Sequence, residues 1–299
     1  MSNLFLKIGL LIVVMLGCNP TTDSNPIEPG EYPLTDDDFY DGCATVSPDG
    51  NWVAFISRRG STLPAVWKIP TTGGTPQLVF EDDNYLFYYI DWGPDNSQIV
   101  ALVADLELSD NYIVLLNIIT GDIQHLIPVS TVEASPSISP DGSLIVYVDS
   151  VGFPKHLYLY NIDSSEITNL LWDPNYYPMA PEWSPDNETI VFTYYSYNPY
   201  EPNIWTIEKD GSGLTQLTEG PNRYLNPTWS PDGEEICFVS SDDPEVWGEL
   251  CSIPSTGGDV TVLTESDSND YPCYVPGEKD VVFISNRNHE NGDVWLLKR

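Results

Sequence analysis

A chain of 299 residues with 45 acidic against 11 basic side chains, a formal net charge of −34, is a polyanion that nucleic acid and anionic lipid headgroups repel. Its 18 Tyr, 9 Trp, 26 Pro and 21 Gly in a 41% apolar background suit many short strands broken by turns and exclude a disordered chain. Most of the carboxylates are therefore expected to solvate the surface.

In chain order, Met1 to Lys7 is a weakly basic start, and Ile8 to Leu16 is apolar apart from Gly9. About nine residues fall short of the ~20 that a helix needs to span a bilayer, so the run reads as a signal-peptide core and not an anchor helix. Met15-Leu16-Gly17-Cys18 follows directly and resembles the lipobox of bacterial lipoproteins, with Met15 where Leu is usual. The resemblance implies acylation of Cys18, which would become the new N-terminus. The Pro, Thr, Ser and Asn of Asn19 to Pro33 read as a flexible tether. The expected organisation is a signal peptide over 1–17, a tether over 18–31 and a single repeat domain over 32–299. This places the protein in the bacterial cell envelope, held to the membrane through its lipid alone.

The repeat is carried by Ser47-Pro48-Asp49-Gly50, Gly93-Pro94-Asp95-Asn96, Ser139-Pro140-Asp141-Gly142, Ser184-Pro185-Asp186-Asn187, Ser230-Pro231-Asp232-Gly233 and Val275-Pro276-Gly277-Glu278, whose prolines lie 46, 46, 45, 46 and 45 residues apart. Pro presets φ at the first central position of a turn and Gly or Asn tolerates positive φ, so each tetrapeptide is a hairpin turn and its Asp is structural. A β-type run follows each turn, then a third run closed in most copies by a Gly-rich turn, then a short fourth strand marked by Leu78, Leu126, Leu170, Leu217 or Leu263. Four antiparallel strands per ~45 residues is the period of propeller blades. The sixth copy runs out at Arg299 after its third strand, whereas Pro33-Leu34-Thr35 ahead of the first copy matches Gln216-Leu217-Thr218 and Val262-Leu263-Thr264. The reading is an all-β, six-bladed β-propeller whose last blade is completed by an N-terminal strand, which removes an open edge. Pro181 to Asp186 and Pro227 to Gly233 resemble the Pro-x-Trp-Ser-Pro-Asp-Gly repeat of the WD-like propellers of the TolB family. That resemblance implies the fold. Propellers of this kind serve scaffolding, ligand-binding and catalytic roles, so it does not fix the function.

Blade geometry puts the Pro-Asp-Gly and Gly-rich turns on one face and the variable loops, second strand to third and fourth to next first, on the other. On that variable face Tyr85, Tyr176, Tyr177, Tyr195, Tyr197, Tyr200 and Trp247 are candidate ligand contacts, because their rings offer flat amphipathic area at low entropy cost. The competing expectation is that such rings pack between blades. Asp37, Asp82, Asp83, Asp267 and Asp270 are candidate oxygen ligands for Ca²⁺, although no EF-hand spacing is present; no other cofactor is expected.

A Gly-x-Ser-x-Gly elbow, a phosphate-cradling loop and zinc-ligand spacing are all missing from the sequence. His125, His156 and His289 are dispersed, unlike the histidine-rich metal site of the oligogalacturonate lyases, which use repeats of this look. Cys237 and Cys251, on neighbouring strands of blade five, are candidates for a cross-strand disulfide, and Cys43 and Cys273 flank the closing seam; buried free thiols are the alternative. The functional expectation is a monomeric, tethered binding or scaffolding module, not an enzyme, that holds a protein, peptide or glycan on its aromatic and acidic face. The alternative is a carboxylate-based, Ca-dependent enzyme acting on carbohydrate or peptide.

Overall fold

A computed structural model describes residues 29–60, 62–150, 155–197, 200–242, 248–266, 268–288 and 290–299. Cys18, the leader, Trp247, Asp267, His289 and the side chains of Tyr197 and Tyr200 lie outside the described set.

Among the described residues, six four-stranded antiparallel sheets follow one another along the chain. Their innermost strands are Asp41–Val46, Tyr85–Trp92, Ser137–Ile138, Tyr176–Trp183, Arg223–Trp229 and Asn269–Tyr274 in blades 1 to 6. The core is divided into six apolar wedges, each filled from two consecutive blades, with the last formed by blades 6 and 1. Phe55, Phe192, Phe238 and Phe283 recur at one position of the second strand and are fully buried. Four blades thus present a phenyl ring at this position, with buried Ala101 and Tyr147 at the equivalent place in blades 2 and 3.

Local chemistry explains the repeated turn. Ser47, Ser139, Ser184 and Ser230 each donate their hydroxyl to the turn Asp two residues on, at 2.6–2.7 Å. Each also accepts the amide that opens the next strand, at 2.9–3.0 Å. Gly50, Gly142 and Gly233 take φ of 71–74° at the last turn position, and Asn96 and Asn187 replace them at 59° and 65°, as the left-handed region requires. Hydrogen bonds from Ser47 and Asn51 hold the Asp49 carboxyl below the usual range, and Ser230 with neighbouring donors brings Asp232 to about 2.

Gly30–Pro33 pairs antiparallel with Asp293–Lys298, Gly30 opposite Lys298 and Pro33 opposite Trp295. The amide of Leu34 donates to Val294 at 2.7 Å, and Thr35 Oγ1 accepts the Val294 amide at 2.9 Å. The ladder thus begins at Gly30, somewhat ahead of the Pro33-Leu34-Thr35 core expected from the repeat. Two arginines at equivalent places after a second strand clamp the seam. Arg287 pairs with Glu31 of the closing strand, donates to Ser285 at 2.9 Å and Asn269 at 2.5 Å, and lies 4.4 Å from the Trp295 ring centroid. Arg59 pairs with Asp41 and Asp37 while resting 5.0 Å from the Phe55 ring.

Of the two alternatives in blade 5, the candidate disulfide is not formed and the buried free thiols are observed. Cys237 stands opposite Ser252 and Cys251 opposite Phe238, an offset of one residue that sends the two thiols to opposite faces of the sheet. Cys237 fills the wedge between blades 5 and 6, Cys251 the wedge between blades 4 and 5. Cys43, Cys237, Cys251 and Cys273 are free. Burial pushes Cys251 up to about 11 and Cys43 to about 12, so none of this chemistry favours a thiolate. Iodoacetamide should leave Cys237 and Cys251 unmodified in the native protein and alkylate both on unfolding without a reductant. A requirement for prior reduction, read by mass spectrometry, would overturn the register.

Candidate functional site: the mouth and waist of the central channel

Three residues before each turn proline, the inner strands place Thr45, Asp91, Ser137, Glu182, Thr228 and Cys273 around one lumen. Two carboxylates thus interrupt a belt of small side chains at its waist. Asp91 accepts Thr45 Oγ1 through Oδ1 and the Ile138 amide through Oδ2, each at 3.2 Å, and so links blades 1, 2 and 3. Glu182 accepts Thr228 Oγ1 at 2.8 Å and the Trp229 amide at 3.2 Å, both through Oε1. Among the described residues its Oε2 accepts no hydrogen bond. Burial pushes Asp91 up to about 6; burial and then the Asp91 charge push Glu182 up to about 8.

Five residues before the turn proline the backbone is strained. Cys43, Ser135, Ala180, Asn226 and Tyr271 adopt φ of 40–50° in blades 1, 3, 4, 5 and 6, and the inner-strand pairing slips by a bulge just there in blades 1, 4, 5 and 6. A left-handed non-glycine residue costs about 1–2 kcal/mol, and a bulge bends its strand and re-aims the side chains around it. Repeated around one axis, the bulges lead from the waist into a cavity of about 140 Å³ that opens on the variable face.

Tyr88, Val132 and Tyr271, between 37% and 46% exposed, stand at this mouth. Asp270 lies beneath, holding Asn226 Nδ2 at 2.5 Å, and its carboxyl is raised by burial. Burial also raises Tyr89 well above the usual phenol range, so its hydroxyl is neutral. Glu133 accepts the Tyr177 hydroxyl at 2.7 Å and pairs with Lys155, whose Nζ sits 4.1 Å from the Tyr177 ring centroid. On the other side of the waist the lumen opens past the six turn prolines.

Among the described residues, the aromatics singled out from the sequence, Tyr85, Tyr176, Tyr177 and Tyr195, do not line this mouth. Tyr177 and Tyr195 stack at 4.8 Å and are buried, and Tyr176 stacks at 4.9 Å on buried Tyr194. Tyr85 stands apart on blade 2, half-buried beside His125. Trp172 is the exposed ring of this neighbourhood, at 54%. Among the described acids, Asp37 is tied to Arg59, Asp82 accepts the Asn84 amide at 2.8 Å, Asp83 is exposed in its loop, and Asp270 is held by Asn226, next to Tyr271 of the mouth. Among the described residues no three His, Cys, Asp or Glu side chains converge as a metal would require. Sequence reasoning missed Asp91 and Glu182. The signal available was their column, the third position before the turn proline, where the other four blades carry Thr, Ser, Thr and Cys.

Residues 157–296 match the TolB beta propeller domain (PD40). An uncharacterized protein of Agrobacterium fabrum is 25% identical over 215 residues, which cover 70% of this chain and 69% of that protein. Among solved structures, TolB from Acinetobacter baumannii superposes with a TM-score of 0.69 at 18% identity; the match covers 83% of this chain but only 64% of that one, less than two thirds. A putative TolB from Agrobacterium tumefaciens gives 0.65 at 21% identity, over 78% of this chain and 87% of its own. An oligogalacturonate lyase from Vibrio parahaemolyticus gives 0.59 at 12% identity, over 92% and 94%. With six blades and their closure established, the chain is a six-bladed β-propeller, similar over residues 157–296 to the TolB beta propeller domain.

Proposed function

We propose that the protein is a binding propeller of the bacterial envelope that holds a protein or peptide partner at the variable-face mouth of its channel. The carrying observation is the waist, where Asp91 and Glu182 are retained in a buried lumen below exposed aromatic rings. Buried carboxylates cost stability unless they serve something else, and perturbed groups concentrate at functional sites. The likeness to TolB propellers supports binding or scaffolding over catalysis.

Tethering is proposed on the lipobox at Cys18. Among the described residues no helix is long and apolar enough to cross a membrane. Gly30 lies opposite Lys298, and the Lys298 and Arg299 end of that strand contacts Asp280 beside the turn of blade 6. The closing strand therefore enters from the turn-proline face.

The test is capture of envelope proteins by the lipid-free propeller, comparing Tyr88→Ala/Tyr271→Ala with Trp172→Ala on the outside of blade 3. A partner retained by the wild type and by Trp172→Ala, and lost from the mouth variant, is the expected result. Equal recovery by all three would discredit the mouth.

A further inference from the structure

We infer that the mouth receives a basic segment of a protein partner and threads one lysine or arginine side chain past Tyr88, Val132 and Tyr271, so that its cation meets Asp91 and Glu182 at the waist. This rests on the mouth being the binding face and adds the chemistry of what enters it.

Three observations carry it. The rings at the mouth are exposed and surround an opening, and aromatic faces grip both the aliphatic stem and the charged head of a basic side chain. The two carboxylates below come from alternate blades, Asp91 from blade 2 and Glu182 from blade 4, and both line the cavity. Acceptors spread in this way suit the diverging N–H donors of an ammonium or guanidinium group. A compact metal ion wants converging oxygens, and among the described residues no such set is formed. Glu182 also keeps one oxygen without a hydrogen bond among the described residues, while its other oxygen is fixed by Thr228 and Trp229. Over longer range, a chain of net charge −34 steers a basic partner towards itself and repels an acidic one.

The probe is a fluorescein-labelled hexalysine peptide, followed by anisotropy at about 0.15 M salt so that diffuse attraction is screened. Glu166→Gln is the control, because Glu166 is exposed on a turn of blade 3, away from the mouth. Near pH 8.5, Glu182→Gln should weaken binding at least fivefold and Glu166→Gln less than twofold. Near pH 6, where the Glu182 carboxyl is largely neutral, wild type and Glu182→Gln should converge, so the wild-type affinity should rise with pH on its own. Equal losses in both variants, or a wild-type affinity flat from pH 6 to 8.5, would overturn the inference. Capture of a partner at the mouth together with indifference to hexalysine would sink this inference and leave the proposed function standing. Release of the peptide by millimolar Ca²⁺ at constant ionic strength, with the Glu182 dependence lost, would instead assign the waist to a metal and count against it.

Discussion

Glu182→Gln is expected to stabilise the propeller near pH 9 by about 2 kcal/mol, a rise in Tm of roughly 5 °C, and to change little near pH 5. The Glu182 carboxyl is raised to about 8 and that of Asp91 to about 6, burial leading in both. A group whose pKa is higher in the folded than in the unfolded state binds more protons when folded. Its contribution is complete below the unfolded value and disappears as pH climbs through the folded one. For these two groups that window runs from about 4 to about 8. The turn aspartates have the opposite sign, since their lowered pKa values protect the fold until pH falls towards that of Asp232, about 2. Gln fits at 182 because Glu182 accepts both hydrogen bonds through Oε1, and an amide oxygen can keep them. Asp91 differs, since it accepts through both oxygens. Asn would set its NH₂ against the Ile138 amide, or else turn it to the Thr45 hydroxyl, which would then lose its own acceptor while already receiving the Trp92 amide, so Asp91→Asn should gain less or lose outright. Thermal melts of both variants at the two pH values check this ordering.

The second large effect is at the seam. Arg287→Ala should cost about 2–4 kcal/mol, because it leaves Glu31, Asn269 and Ser285 short of a donor and strips the cation from the face of Trp295. Its loss should also be distinctive in kind. Glu31 belongs to the closing strand, so the variant should free residues 30–35 and uncover the Asp293–Lys298 edge, which invites pairing with another chain. Hydrogen exchange should rise first at the amides of Leu34 and Val294, which lie in that ladder, and aggregation should follow at lower temperature than in wild type. Pairing the change with Glu31→Gln should recover part of the loss, since the unpaired carboxylate is then gone. Uniform exchange throughout all blades would argue against a localised seam.

The architecture was legible because it rests on local chemistry repeated at a fixed interval. A Ser-Pro-Asp-Gly turn closes on itself through the Ser and Asp side chains, so it can be recognised without knowing what lies across the blade. The closing strand was legible through Leu34, whose match to Leu217 and Leu263 reflects the same pairing, each amide donating to the carbonyl of its third strand at 2.7–2.8 Å.

The site was harder to read because it depends on contacts between blades. Tyr177 and Tyr195 look like exposed loop aromatics in sequence, yet neighbouring strands stack them and bury both rings. Asp91 and Glu182 sit in strands whose alternation should decide which side chains face the lumen. In blade 4 the bulge between Met179 and Glu182 resets that alternation, and no residue type announces a bulge whose left-handed position is Ala180. The choice between a disulfide and free thiols in blade 5 stayed open for the same reason: one residue of register decides the face, and Cys237 opposite Ser252 is a fact of pairing that spacing alone does not determine.

The most direct test is the titration of Glu182 itself, followed by carboxyl ¹³C resonances of glutamate-labelled protein and assigned with Glu182→Gln. A midpoint near 8, falling when Asp91 is replaced by Asn, is what a buried waist with two facing carboxylates predicts. A midpoint near the ordinary glutamate value of about 4.3, indifferent to position 91, would mean that the lumen is open water and that the channel is not the site described.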